Sequence, residues 1–216
     1  MPRHDPSEKT KSEILQTAVR LFRERGWKEV NIEDVVKEVG VTRGAFYHYF
    51  KSREELISAA ADQMFFENNP FSLAEQERGL NALEKLRLSF KRNMESNLAN
   101  LGMIAELQKA FDSDPVLFKG EALSQVNVVA PFIEKLLIEG NADGSLFVHY
   151  PKQTAQVLAL LSGLWVNPTF FHVSRQEYTE KLLFFMHMTE ELGVPFMDDG
   201  MKGQILKNVG LYEHLK

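Results

Sequence analysis

Side chains that can bind a polyanion recur at helical spacing in the segment GVTRGAFYHYFKSREEL, residues 40–56. Arg43 precedes Tyr47 by one helical turn, and His48 follows directly. A guanidinium can bond both O6 and N7 of guanine. Hydroxyl and imidazole groups, including that of Thr42, can bond phosphate oxygens. The pattern predicts a helix that contacts nucleic acid.

The same segment contains the residues that would anchor and support such a helix. Phe46 and Phe50, four residues apart, can hold it on a core while the polar side chains face away. Gly44 would let the backbone approach DNA closely, and Lys51 or Arg53 would neutralise phosphates. The alternative is that these rings pack on neighbouring helices. That interpretation suits any single Tyr or His, but the combination favours DNA.

The segment is preceded by two apolar stripes of helical period, which predict the helices that position it. The first can be capped by Ser7 or Thr10 and ends at Gly26. The second begins at Asn31, with Asp34 at near capping-box spacing, and is broken by Gly40. Thr42 is a suitable N-cap for the third helix. Two short helices joined by a sharp turn indicate a helix-turn-helix, whose second helix enters the major groove.

Charge and composition limit the classes of function. The 216-residue chain has a net charge of −5 and no cysteine, which excludes disulfides and thiolate sites. Residues 1–56 carry 11 Lys and Arg against 10 Asp and Glu, whereas the remainder carries 14 against 20. A local basic face is therefore compatible with the N-terminal part alone. A protein that coats DNA without sequence preference would be more basic.

Helical periodicity continues through the rest of the chain. Ser52 and Glu55 form a predicted capping box for a fourth helix from Arg53 to about Phe66. Further helices are predicted at about 73–99, 103–111, 115–139, 151–166, 175–192 and 199–208. The fold class is therefore all-α, with a helix-turn-helix DNA-binding domain at 1–56 and a helical ligand-binding and dimerisation domain at 57–216.

Residues 9–56 resemble the N-terminal domain of the TetR family of transcriptional regulators. The resemblance lies in VTRGAFYHYFKSREEL and, before it, in LFRERGWKEVNIEDVVKEVG. It implies a homodimeric regulator, usually a repressor, that binds a palindromic operator on double-stranded DNA and is released by a small molecule. By position, it implies DNA contacts from Asn31, Thr42, Arg43, Gly44, Tyr47, His48, Tyr49, Lys51 and Arg53. Ala45 could contact only a thymine methyl, so base readout would depend more on Arg43.

Two late segments, 157–165 and 182–188, are apolar on more than one helical face. One face can pack on the domain core, and the other needs a second partner. We expect a homodimer interface in which these helices from two subunits form a four-helix arrangement. The alternative is that both helices are buried within one subunit.

An apolar small-molecule inducer would need a pocket in the C-terminal domain, which is rich in Phe and Met. Candidate apolar lining residues are Phe90, Met94, Leu98, Met103, Phe111, Phe118, Phe132, Trp165 and Phe171. Candidate polar anchors are Asn97, Gln108, Asn127 and His172. For each of them, an ordinary role in the core is the alternative.

Motifs for catalysis and cofactor binding are absent from the sequence. It lacks HExxH, GxxxxGK[ST], GxGxxG and GxSxG, and it has no cysteine-based metal spacing. A metal pair of His172 and His187, 15 residues apart on different predicted helices, has no support beyond the residue types. No enzyme activity and no cofactor are predicted, and no membrane span or signal peptide is expected, which favours the cytoplasm. The rival hypothesis is a helical small-molecule-binding protein or enzyme whose N-terminal domain no longer reads DNA.

Overall fold

The computed structural model describes residues 6–167, 170 and 173–212, and every regular element in that part of the chain is helical. The helices are α1 (Pro6–Arg25), α2 (Ile32–Val39), α3 (Arg43–Tyr49), α4 (Arg53–Glu67), α5 (Pro70–Glu75), α6 (Ala82–Ala99), α7 (Leu101–Ser113), α8 (Pro115–Ser124), α9 (Ala130–Asp143), α10 (Pro151–Leu160), α11 (Arg175–Glu191) and α12 (Asp199–Tyr212). Two π-helical turns, Gln125–Val129 and Leu161–Trp165, follow α8 and α10. The predicted all-α class is confirmed.

The chain forms two compact units. The first contains the described residues up to Asn68 together with Gly102–Leu117, and the second contains Asn69–Leu101 and the described residues from Phe118 onward. All of α4 and nearly all of α7 therefore belong to the first unit. The division at residue 56 stays a prediction about function, because compact packing continues beyond it in α4.

Local signals fix the ends of the first helices as the sequence predicts. Gly26 follows α1 with φ 93°. Asn31 and Asp34 form a reciprocal capping box at the start of α2, and Gly40 ends that helix in the left-handed region at φ 79°. The Thr42 hydroxyl accepts a hydrogen bond from the Ala45 amide at 3.1 Å. These caps stop α2 and restart the chain as α3 within three residues.

The fourth helix begins with a cap that differs from the predicted capping box. The Ser52 hydroxyl accepts from the Glu55 amide at 3.1 Å, as predicted. The Glu55 carboxylate, however, accepts from the Lys51 amide at 2.6 Å. The side chain thus reaches one residue further back than the motif specifies.

The core of the first unit explains how α3 is held. The predicted anchors Phe46 and Phe50 are 0% and 1% exposed. Burying side chains of this size stabilises a fold by about 1.5–3 kcal/mol each. They join a cluster that includes the α1 stripe and Trp27, whose ring stacks on Phe22 at 4.4 Å. Anchored in this way, α3 has one face for the core and one for solvent.

In the second unit, the predicted helix at 73–99 is wrong because the chain breaks between α5 and α6. Asn69 caps α5 by accepting from the Phe71 and Ser72 amides. Gly79 then takes φ 86°, and Asn81 opens α6 with a capping box of its own. Residues 76–81, between the two helices, contain Gly79 and a single apolar side chain, Leu80, so the sequence itself carried a sign of the break.

The predicted helices at 115–139 and 151–166 each contain a π-helical turn. The two turns contact each other: a Cβ on Gly163 would lie 2.6 Å from Cδ and Oε1 of Gln125. The first helix also runs on to Asp143, where Gly144 ends it at φ 78°. The missing side chain at Gly163 is therefore what lets the turns approach.

The core of the second unit is aromatic and extends into the segment before α12. Phe196 is 0% exposed and stacks on Phe90 at 4.2 Å. The connection between α9 and α10 is held by Asn141, whose amide group exchanges two 2.8 Å hydrogen bonds with the backbone of Val148. The Asn141 hydrogen bonds thus join the last turns of α9 to the connection that leads into α10.

Candidate nucleic-acid interface

The outer face of α3 presents most of the side chains predicted to contact DNA. Tyr47 is 44% exposed, although the neighbouring Phe46 is fully buried. The exposed members of the predicted set are Asn31, Thr42, Arg43, Gly44, Tyr47, His48 and Lys51. Their exposure on one short, capped helix and its flanks gives a continuous polar and aromatic surface that is free to approach a ligand.

Arg43 is held by two neighbours on this surface. Its Nη1 lies 2.9 Å from Oε1 of Glu33 on α2. A hydrogen bond with Tyr47, followed by the charge of Glu33, raises the pKa of the Arg43 guanidinium above its usual value. The guanidinium therefore stays charged and is oriented along the helix. Glu33 is a component of the site that the sequence analysis missed, since only the fold brings α2 and α3 together.

Asn31 and Tyr49 have structural roles beside their predicted ones. The Asn31 Oδ1 accepts from the Asp34 amide at 3.0 Å, so that oxygen is already used in capping α2. Tyr49 is partly buried against the core of the first unit and meets the His48 ring edge-on at 4.9 Å. Phosphate contacts from either residue stay predictions, and for Asn31 they would involve the amide nitrogen.

Arg53 does not lie on this surface, which corrects its predicted contact with the DNA backbone. Its Nε donates to the Val30 carbonyl at 2.9 Å, and its Nη2 donates to the Trp27 carbonyl. Its Nη1 donates to the Glu106 carboxylate at 2.9 Å. With all three nitrogens engaged inside the first unit, the guanidinium is not available to phosphate. Lys51 is thus the exposed cation that follows α3.

Three of the predicted ligand-lining residues lie on α7, in the first unit. Met103 packs against the core that contains Phe46 and Phe50, and its role in lining a ligand pocket stays a prediction. Phe111 is 8% exposed and Gln108 is partly buried on the same helix. Helical period could not show that α7 joins the first unit.

The remaining candidates lie mainly in the second unit. Phe90 is part of an aromatic stack with Phe196, as in an ordinary core. Met94 and Asn97 are partly buried on α6, whereas Asn127 is exposed on its π-helical turn. The Lys181 Nζ lies over the Trp165 ring, 5.3 Å from the ring centroid.

The other predicted lining residues also have contacts or partial burial. Leu98 is partly buried on α6. Phe118 meets Phe170 edge-on, and Phe132 stacks on Phe71. Phe171 and His172 lie outside the described residues.

Glu121 is a polar group of the second unit that sequence reasoning missed. Its carboxylate is partly buried and accepts a hydrogen bond from Nε2 of Gln125 at 2.7 Å. Burial raises the pKa of Glu121, and the Gln125 hydrogen bond opposes that shift only in part. The acid therefore resists ionisation at the point where the two π-helical turns meet.

Glu121→Gln is expected to raise the melting temperature at pH 7–8. Because the folded state raises the pKa of Glu121, stability falls as pH rises from the unfolded pKa, about 4.3, through the folded one. Removing about 1 kcal/mol of this penalty corresponds to about 2–4 °C. Thermal melts from pH 4 to 8 should show the gain grow with pH, whereas Glu95→Gln, at an exposed position, should show none. Equal melting temperatures at all pH values would contradict the assignment.

Two features are absent from the residues that the structure describes. No helix in this part of the chain has the length and apolar character needed to cross a membrane. Among the same residues, no three histidine or acidic side chains lie close enough together to hold a metal ion.

The N-terminal helices are the part of this chain whose sequence matches known proteins. Residues 14–60 match the family model described as bacterial regulatory proteins, tetR family. The HTH-type transcriptional regulator YerO of Bacillus subtilis (strain 168) is 38% identical over 52 residues, which are 24% of this chain and 18% of YerO. The matched part of this chain therefore corresponds to less than a fifth of the length of YerO.

Solved structures resemble most of the chain in fold. A TetR-family transcriptional regulator from Pectobacterium atrosepticum matches with a TM-score of 0.59 and 20% identity, over 87% of this chain and 96% of that one. FadR of Thermus thermophilus, a TetR-family repressor solved with lauroyl-CoA, matches with a TM-score of 0.57 and 17% identity, over 94% of each chain. At such identities the likeness concerns the fold, which extends beyond the segment matched by the family model.

Proposed function

We propose that this chain, whose residues 14–60 match the tetR family model, is a homodimeric, one-component transcriptional repressor of that family. It binds a palindromic DNA operator and is released by a small-molecule ligand. The observation that carries the proposal is the polar face of α3, where Arg43, Tyr47 and His48 are exposed while Phe46 and Phe50 are buried. A helix of this kind suits the major groove, and phosphate contacts from its flanks would position it.

The homodimer is supported by apolar side chains on α10 and α11. Val157, Leu183 and Phe184 are 40%, 43% and 59% exposed in the single chain. Phe184 also meets Trp165 edge-on at 5.9 Å. A second copy of the chain would cover this surface through the same helices, which matches the four-helix arrangement predicted from sequence. Two recognition helices about 34–36 Å apart could then read two half-sites.

The ligand is proposed to bind in the second unit and to act by changing the population of DNA-binding conformations. Its effect on DNA affinity cannot exceed its own difference in affinity between those conformations. The solved complex of Thermus thermophilus FadR holds lauroyl-CoA. For this chain we propose an apolar effector, no other cofactor, and a site of action in the cytoplasm, where its DNA would be.

Selection from random duplex DNA, with purified protein at near-physiological salt, tests the proposal. We expect enrichment of a palindrome with half-sites about one helical turn apart. Absence of any enriched sequence, with and without a library of small apolar molecules, would contradict it. That result would favour a helical small-molecule-binding protein or enzyme whose N-terminal domain no longer reads DNA.

Glu33→Gln is expected to increase operator affinity by about 2- to 10-fold. The ion pair with Glu33 competes with DNA for Arg43, and exposed pairs of this type contribute little to stability. Fluorescence anisotropy with labelled operator would measure the gain, and the melting temperature should stay nearly constant. Glu29→Gln is the control, because it removes an equal charge at an exposed position of the same unit. An equal gain in both variants would attribute the effect to net charge rather than to the release of Arg43.

A further inference from the structure

The guanidinium of Arg53 connects three parts of the first unit. It holds the carbonyls of Trp27 and Val30 in the connection between α1 and α2, and it holds the carboxylate of Glu106 on α7. The side chain of Arg53 is 24% exposed and that of Glu106 is 8% exposed. A planar guanidinium can serve three acceptors in fixed directions, which a lysine ammonium cannot do in the same way.

The carbonyls that Arg53 holds lie in the connection that leads into α2. Val30 precedes Asn31, whose side chain caps α2. The position of Val30 therefore sets where α2 begins. Since α2 leads into α3 through the short Gly40–Thr42 turn, an altered start of α2 would alter the placement of the recognition helix.

Glu106 in turn fixes the guanidinium. Its second carboxylate oxygen accepts from Nζ of Lys109 at 2.6 Å. Burial alone would raise the pKa of Glu106, but the hydrogen bonds and charges of Lys109 and Arg53 bring it below its usual value. Met103 and Leu107, on the same helix, pack against the core of the first unit. The carboxylate is thus ionised and held in place by α7.

We propose that Glu106 is a positioning residue for DNA binding, which holds Arg53 and thereby fixes the start of α2 and the orientation of α3. The inference rests on the proposed function, since it concerns how the same DNA-binding surface is set. Glu106 thereby connects α7 to the placement of α3 within the first unit.

Glu106→Gln, which keeps the shape and removes the charge, tests the proposal in the full-length protein. We expect about a tenfold loss of affinity for the selected operator, with little change for a scrambled duplex. Asp112→Asn is the matched control because it removes the same charge from an exposed position on α7. Its operator affinity should stay within about twofold of the starting protein.

A spectroscopic readout reports on the network without DNA. In a Trp165→Phe background, the buried Trp27 is the remaining tryptophan. Its emission should shift in Glu106→Gln but not in Asp112→Asn, because only the former loosens the Trp27 carbonyl contact. Arg53→Lys should weaken operator binding in the same direction. Combined with Glu106→Gln, it should add little further loss, since both changes break one network.

Three results would overturn the inference. Operator affinity of Glu106→Gln within about twofold of the starting protein would show that the contact does not position α3. Equal losses on operator and scrambled DNA, with a lower melting temperature, would show a role in stability alone. If the starting protein itself prefers no sequence, the proposed function fails and the inference fails with it, which the unmutated control distinguishes from the other two results.

Discussion

Arg43→Ala is expected to weaken binding to the selected operator by about 30-fold or more. A bidentate arginine–guanine contact discriminates strongly between bases, and a homodimer would lose that contact in both half-sites. Fluorescence anisotropy over a range of salt concentrations would measure the loss. If Arg43 reads a base, specificity should relax at one position of each half-site. If it binds phosphate, the affinity should fall for all sequences and the salt dependence should become shallower.

The same variant should fold normally, because the Arg43 side chain is 62% exposed and its ion-pair partner Glu33 is also exposed. Arg78→Ala removes an exposed arginine from the second unit and is the control for net charge. We expect it to bind the operator almost as the starting protein does. A loss after Arg78→Ala equal to that after Arg43→Ala would show that overall charge, rather than the face of α3, controls the affinity.

The arrangement of α1, α2 and α3 was predictable because local signals determine it. Caps at Asn31 and Thr42, the left-handed Gly40 and the apolar spacing of Phe46 and Phe50 each act within a few residues. Signals of this kind can be read directly from sequence. The exposure of Tyr47 follows from them, since the same helix cannot bury both faces.

Roles that depend on contacts distant in sequence were not predictable. From the sequence, Arg53 is predicted to be an exposed cation beside α3. In the structure its guanidinium donates to the carboxylate of Glu106, which lies 53 residues later in the sequence. The residue type of Met103 suits a ligand pocket, but its side chain packs against the core of the first unit. In both examples the residue type is compatible with two environments, and only tertiary packing decides between them.

The helices of the second unit show a further limit of periodicity. The π-helical turns at Gln125–Val129 and Leu161–Trp165 lie within segments that the sequence predicts as continuous helices. Their positions depend on the contact between Gly163 and Gln125, which lie 38 residues apart in sequence. A single sequence contains the glycine but gives no sign of its partner.

Phe184→Glu is expected to convert the proposed homodimer to a monomer at micromolar concentrations. In a two-fold symmetric interface each substitution occurs twice, so two unpaired carboxylates would be buried near the axis. Breaking a buried contact with an unpaired charge costs about 3–5 kcal/mol, which would raise the dissociation constant more than a hundredfold. Sedimentation velocity or light scattering would measure the mass of the particle, and circular dichroism would verify that the helices remain.

Phe147→Glu is the matched control, because Phe147 is 80% exposed but lies in the connection before α10 rather than on α11. We expect it to stay dimeric. The Phe184→Glu monomer should also bind the full palindrome no more tightly than a single half-site, since the two helix-turn-helix domains would no longer be linked. If Phe184→Glu remains a dimer while Phe147→Glu dissociates, the interface lies at the start of α10 and the proposed use of α11 is wrong. If neither variant dissociates, the exposed apolar side chains of α11 serve another partner. Operator binding would then require that two subunits pair through a different surface.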